Sequence, residues 1–190
     1  HIHLTDCKSM DDVIRGQAFC ILGRSGAGKS ITLRQMIGLM GPDSDSIFVL
    51  GQNVGTLNAD GLTRVRKQVG FLFQYSALFD SISVGENVAF PLRRHTRMSA
   101  SEINDRVGDL LDQVGLEPHR YKMPSEVSGG MRKRVGLARA LALDPSILLV
   151  DEPSSGLDPV TSQEIDELLL DLNKRRGTTI VVVTHNIPSA

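Results

Sequence analysis

The run Gly23-Arg24-Ser25-Gly26-Ala27-Gly28-Lys29-Ser30 fits the pattern G-x-x-x-x-G-K-[ST]. Small residues there let successive backbone N–H groups turn toward phosphate oxygens. A following helix adds the partial positive charge of its N-terminus, and Lys29 supplies a full one. Ser30 is placed to ligate Mg²⁺. A second group of interest is Ile147-Leu148-Leu149-Val150-Asp151-Glu152, an apolar stretch ending in two carboxylates. Two acids at one strand tip divide the labour: Asp151 would hold the magnesium shell, and Glu152 would accept a proton from water attacking a terminal phosphate. Ser128-Gly129-Gly130 opens a further helix with bare backbone N–H groups, which is an anion site in its own right.

These groups need rigid elements to hold them, and the hydropathy pattern supplies candidates. Ala18 to Leu22 reads as a short strand ending at Gly23, and Lys29 to Met40 as a helix with apolar residues at Ile31, Leu33, Met36, Ile37 and Met40. Gly41-Pro42 would stop that helix. Ile47 to Leu50 and Val69 to Phe73 read as strands separated by polar turns. The sequences Ser83-Val84-Gly85-Glu86 and Ser99-Ala100-Ser101-Glu102 both match the S-x-x-E capping box, so two helices are expected within a mostly helical insert at about residues 75–128. Beyond it come a helix from Gly129 to about Ala142, a buried strand Ile147 to Val150, and a helix capped by Asp158 with Pro159 at its first position. That helix should stop at Gly177, before a β-branched strand Thr179 to Val183. Alternating strands and helices imply an α/β fold with a mostly parallel sheet covered on both faces.

Composition narrows the functions available. With 21 Lys+Arg against 22 Asp+Glu the net charge is -1, which argues against a general nucleic-acid-binding surface. A hydrophobic content of 41% and a charged content of 23% describe a chain that folds rather than a disordered one. No apolar run approaches the roughly 18 to 20 residues that cross a bilayer. His1 to Met10 is mixed and polar, unlike a secretory leader, which points to a cytoplasmic address. Cys7 and Cys20 lack metal-ligand spacing and read as buried thiols of a reducing compartment.

Taken together, the motifs resemble the ATP-binding cassette (ABC) family. Its Walker A motif corresponds to Gly23 to Ser30, its glutamine loop to Gln74 and its signature to Val127-Ser128-Gly129-Gly130-Met131. Walker B corresponds to Ile147 to Glu152, the D-loop to Ser155-Gly156-Leu157-Asp158 and the switch histidine to His185. The resemblance implies a P-loop NTPase fold with a helical, ABC-specific subdomain, and ATP and Mg²⁺ as ligands. It makes Gln74 a sensor of Mg²⁺ and of a membrane partner, His185 a contact to the γ-phosphate and attacking water, and Asp158 a contact across a dimer. In that family two cassettes pair head to tail, which explains a second anion-binding helix end at Ser128 to Gly130. It further implies a single nucleotide-binding domain spanning residues 1–190 and cut at both ends. The family's adenine-stacking aromatic falls just before His1, and members continue well beyond His185.

A closer resemblance is carried by Phe71-Leu72-Phe73-Gln74-Tyr75-Ser76-Ala77-Leu78-Phe79-Asp80, Glu86-Asn87-Val88-Ala89-Phe90-Pro91-Leu92-Arg93, Met123-Pro124-Ser125-Glu126 and Gly129-Gly130-Met131-Arg132-Lys133-Arg134. These are similar to the Mla/Mce-associated ATPases of bacterial lipid transport. The implied protein is an ATP-hydrolysing homodimer on the cytoplasmic face of the inner membrane, beneath an Mce-type permease. Arg132 to Arg134, taken alone, also read as a solvated helix face. A cassette for amino acids or another small solute is the alternative within the family. A soluble, non-transport cassette is the alternative outside transport, and a P-loop kinase would have no use for Ser128-Gly129-Gly130. The segment Gln74 to Phe90 is expected to dock the permease through Tyr75, Leu78, Phe79, Ile82, Val88 and Phe90.

Overall fold

The computed structural model describes residues 2–4, 15–24, 26, 28–41 and 46–185. Cys7, Ser25, Ala27 and Pro42, singled out above, lie outside them. The elements run β1 (Ile2–Leu4), β2 (Ala18–Leu22), α1 (Lys29–Met36), β3 (Ile47–Val49), β4 (Gln52–Asn53), α2 (Ala59–Lys67), β5 (Val69–Leu72), α3 (Val84–His95), α4 (Ala100–Gln113), α5 (Gly129–Ala140), β6 (Ile147–Asp151), α6 (Pro159–Arg176) and β7 (Thr179–Thr184).

Four strands form a parallel sheet in the order β2-β7-β6-β5. One row across it pairs Ala18 with Ile180, Ile180 with Leu148, and Leu148 with Gly70. Every residue of β6 is buried, as an uninterrupted apolar run at the centre of a parallel sheet must be. Its side chains alternate between faces. Leu148 and Val150, with Ile180 of β7, join a core built with α3, α4, α5 and α6. Ile147 and Leu149, with Val181 and Val183, join another built around Leu33 and Met36 of α1 and Val49 of β3. Burying a leucine such as Leu148 or Leu149 stabilises by about 1.5–3 kcal/mol each. A smaller sheet, β1-β3-β4, pairs β1 with β3 in parallel and β3 with β4 as a hairpin. Its turn residues Leu50 and Gly51 both have positive φ, 51° and 75°, the geometry that matches strand twist in two-residue hairpins.

Both helices expected in the insert are present, with different caps. At α4 the box is complete: Ser99 Oγ accepts from Glu102 N, and the Glu102 carboxylate accepts from Ser99 N at 2.6 Å. At α3 only half of it forms. Ser83 Oγ accepts from Glu86 N at 3.2 Å, but the Glu86 carboxylate turns to Arg93 on the same helix. Asn87, fully buried, shapes the approach to α3: it accepts from Phe79 N and donates to the carbonyls of Phe79, Ile82 and Ser83.

Four expectations need correction. Helix α1 stops at Met36, not Met40, because the chain turns through Gly38 at φ 64°. The supposed polar turns before β5 contain α2, which is capped by Asn58 accepting from Gly61 N at 2.9 Å. Its fully buried apolar side chain is Val65, so the stripe was too thin to show periodicity. Helix α5 ends at Ala140 rather than Ala142. Cys20 is half-buried rather than buried, and desolvation raises its thiol pKa, with Asp166 and Glu152 adding to the effect.

Candidate functional site

Because β2, β7, β6 and β5 are parallel, their C-terminal ends lie side by side, roughly 4.8 Å apart. The loop beginning at Gly23 leaves β2, His185 follows β7, Glu152 follows β6, and Gln74 lies two residues beyond β5. Parallel pairing is therefore what gathers residues spread over more than 150 positions, at the sheet edge where open α/β folds bind ligands.

Within the loop, Gly26 and Gly28 have φ of 81° and 84°, a region open to glycine, and a Cβ at either would meet open space. Gly28 is the N-cap of α1 and contributes no side chain, so the helix end presents bare N–H groups. Lys29 is 8% exposed. Its Nζ donates to Gly23 O at 2.6 Å and Arg24 O at 3.0 Å, and lies 3.5 Å from Glu152 Oε1. Ser30 Oγ donates to Asp151 Oδ1 at 2.6 Å. A hydroxyl against a buried carboxylate, beside a lysine at a helix end with no side-chain cap, is a donor set that fits a magnesium–triphosphate ligand.

Glu152 is buried with a left-handed backbone, φ 48°, and its N–H donates to Val183 O. The carboxylate Oε2 lies 2.7 Å from His185 Nδ1 and accepts from His185 N at 3.3 Å. Gln74 Nε2 donates to Ser155 Oγ at 3.2 Å, tying the segment after β5 to the turn after Glu152. Contacts thus link Lys29 and His185 to Glu152, Gln74 to Glu152 through Ser155, and Ser30 to Asp151, the neighbour of Glu152 in the chain.

The second helix end is placed elsewhere. Ser128 is exposed and caps α5 by accepting from Met131 N at 3.2 Å. Added Cβ atoms show its glycines against the start of α6: Gly129 would sit 3.6 Å from Leu157, and Gly130 only 2.4 Å from Thr161 Cγ2. Asp158 caps α6, its Oδ1 accepting from Val160 N and Thr161 N and its Oδ2 from Thr161 Oγ1. These hydrogen bonds, the Thr161 hydroxyl first, hold its carboxyl below the usual range.

The basic run after the signature is not one solvated face. Arg132 is exposed and donates to Val127 O, and Arg134 pairs with Glu164, but Lys133 is 5% exposed. Lys133 Nζ donates to Gln74 O and to Glu152 O, the latter at 3.0 Å. Burial pushes its pKa down to about 8, against the pull of the Asp151 and Glu152 charges. The sequence did carry a signal for this: Lys133 shares a helix face with Gly136, Leu137 and Ala140.

Next to the Gln74 segment lies an aromatic groove of about 340 Å³, lined by Phe71, Phe73, Phe79, Phe90 and Pro91 among others. Phe79 and Phe90 pack with tilted rings, centroids 4.9 Å apart, and are 44% and 48% exposed. Leu78 is different: it is half-buried and packs on the core, as does fully buried Val88. Leu78, expected to take part in docking, is thus partly engaged with the protein's own core.

The ABC transporter family model matches residues 10–155, and the chain belongs to that family. It is 48% identical over 176 residues to the probable ribonucleotide transport ATP-binding protein mkl of Mycobacterium leprae, covering 93% of this chain and 51% of that protein. It is 46% identical over 175 residues to the methionine import ATP-binding protein MetN 1 of Pseudomonas fluorescens, covering 92% and 52%. The chain thus spans about half the length of the curated relatives it matches. Among solved structures, a dimeric post-hydrolysis state of the ATP-binding cassette MJ0796 bound to ADP and Pi superposes with a TM-score of 0.86. It has 37% identity and covers 94% of this chain and 78% of that one. The fold is the P-loop NTPase fold of ABC ATPase cassettes.

Proposed function

We propose that the chain is the ATP-binding and ATP-hydrolysing part of a bacterial transporter subunit that powers lipid transport of the Mla/Mce kind. The observation that carries hydrolysis is the linked cluster of Lys29, Ser30, Asp151, Glu152 and His185 across adjacent strand ends. Lys29 and the N–H groups of Gly23 to Ser30 bind phosphate oxygens. Ser30 and Asp151 hold the metal, with Gln74 as a further ligand and sensor. Mg²⁺, when bound, supplies charge neutralisation on the phosphates. Glu152 takes the proton of the attacking water, and His185, against its carboxylate, orients both. Ser128, Gly129 and Gly130 face the nucleotide of a second copy, and Asp158 adds a cross-dimer contact to its capping role. A dimeric structure of the MJ0796 cassette supports pairing.

The domain is a single nucleotide-binding unit whose helical subdomain is the insert at about residues 75–128. The groove at Phe79 and Phe90, beside Gln74, suits an apolar element of an Mce-type permease and so a peripheral place on the cytoplasmic face of the inner membrane. Among the described residues no helix is long and apolar enough to cross a membrane. The Met131-Arg132-Lys133-Arg134 run supports the lipid branch. A second reading, methionine or another small solute as cargo, is favoured by the 46% identity to a methionine import protein.

Two measurements test this. Calorimetry on the full-length protein should show Mg·ATP binding that Lys29→Ala abolishes, and equal affinity with and without the lysine would overturn the phosphate-loop assignment. The permease that copurifies should be reconstituted in vesicles. Stimulation of ATPase by phospholipid supports the lipid reading, whereas stimulation by methionine supports the second.

A further inference from the structure

We propose that Lys133 is a positioning residue that holds Gln74 and Glu152 in register from the helix that follows Ser128. The inference rests on the reading of Gln74 and Glu152 given above and adds a residue that acts through both. The β5–β6 ladder ends at the pair Leu72 and Val150. Beyond it the carbonyls of Gln74 and Glu152 have no place in the ladder and take donors from outside it, Glu152 O accepting from Ser155 N at 3.2 Å as well. Lys133 Nζ reaches both, cross-linking the two strand ends just where the site begins.

The rest of the same helix face grips the same segment. Gly136, three residues on, approaches so closely that a Cβ would lie 2.9 Å from Leu72 Cδ1 and 3.1 Å from Ser76 Cβ. Arg139, three further, donates to Ser76 O at 2.6 Å and Ala77 O at 2.8 Å. Ser76 and Ala77 have φ of 61° and 47°, a region non-glycine residues enter only when the surroundings impose it. Lys133 and Arg139 supply that imposition through three carbonyls of four consecutive residues. Lys133 alone continues to β6, where Glu152 has its own left-handed φ. The direction of the Glu152 carboxylate follows from that backbone, so the ammonium that pins the carbonyl also aims the side chain. A lysine suits the task because its three donors on a flexible stem can serve two carbonyls.

The test compares Lys133→Met, Lys133→Arg and Arg139→Met in the full-length protein. In the nucleotide-free state, hydrogen exchange is followed at the bonded amides of Ser76, Ala77, Glu152 and Ser155. Lys133→Met should speed exchange at all four by about tenfold or more, because these openings are local. Its KM for ATP should stay within about twofold while kcat falls about tenfold, the split expected when groups are misplaced for the transition state. Lys133→Arg should recover most of both effects. Arg139→Met should loosen Ser76 and Ala77 and leave Glu152 and Ser155 as they were. Unchanged exchange at Glu152 in Lys133→Met, or a kcat within twofold of the parent, would overturn the proposal. If Lys133→Met does not fold, Lys133→Gln, which removes the charge and shortens the reach, is read by the same criteria. Failure of the underlying functional reading would show separately, as ATP affinity unaffected by Lys29→Ala.

Discussion

On the proposed assignment, replacing Glu152 by Gln should separate binding from hydrolysis. Glu152 is 7% exposed, and its carboxylate meets His185 Nδ1 at 2.7 Å and Lys29 Nζ at 3.5 Å. Glutamine has the same shape and keeps one oxygen toward these neighbours, but it cannot take a proton. Lys29 retains its two carbonyl acceptors, Gly23 O and Arg24 O, so the phosphate loop keeps its local hydrogen bonds. The expected loss is that of a positioned general base, a factor of roughly 10² to 10⁴ in rate. At about 1.36 kcal/mol per decade this is roughly 2.7 to 5.5 kcal/mol of barrier. Steady-state phosphate release by the full-length subunit measures it, with thermal unfolding as a control for the fold. ATP affinity by calorimetry should change little. If hydrolysis is what separates the paired cassettes, the variant accumulates as an ATP-bound dimer on size exclusion. Turnover within tenfold of the parent would refute the assignment and move the base elsewhere, with His185 next in line.

Other expectations follow from packing and charge. A Cβ at Gly70 of β5 would lie 2.5 Å from the backbone oxygen of Ala140, so Gly70→Ala should cost about 1–3 kcal/mol, read as a lowered denaturant midpoint. The Arg93 hydrogen bond, more than the Arg93 and Arg120 charges, depresses the Glu86 pKa below its ordinary 4.5. Its contribution is thus present above pH 4.5 and lost as pH falls through the lower folded value. Both side chains are about half exposed, so Glu86→Gln should cost less than about 1 kcal/mol at pH 7 and progressively less as the pH is lowered, in denaturant titrations along a pH series. Phe90→Ser should weaken capture of the permease from membranes while leaving the melting temperature nearly unchanged, since the ring is half exposed. Undiminished capture would remove the groove as the docking surface.

Elements with a strong local signature were legible in the sequence. Strand β6 is an unbroken apolar run, α4 carries a full capping box, and α6 is framed by Asp158, Pro159 and a left-handed Gly177. Helix α2 was not legible, because a helix resting on a narrow edge needs little more than Val65 and Leu62, and its many cations look like a loop. The second half of the Ser83 box failed for a related reason. Glu86 has two uses for its carboxylate, and Arg93 competes for it with the backbone of Ser83. The exposure of Leu78 depended on how a loop settles against α5, which no local pattern encodes.

The candidate site divides along the same line. Lys29, Ser30, Asp151 and Glu152 were legible because their chemistry requires fixed spacing beside a strand end, and parallel pairing then brings the strand ends together. Lys133 was hidden by its own charge. A cation between two arginines reads as solvated until one counts that it faces the same way as Gly136 and Ala140. Backbone strain was hidden more deeply, since nothing about a serine, an alanine or a glutamate announces positive φ. Ser76, Ala77 and Glu152 all adopt it, and each lies on a segment whose carbonyls are held by Lys133 or Arg139. Strain of this kind persists only where neighbours over-determine the conformation. Buried Lys133 and half-buried Arg139 of α5 are therefore part of what makes the segments around Gln74 and Glu152 a defined geometry.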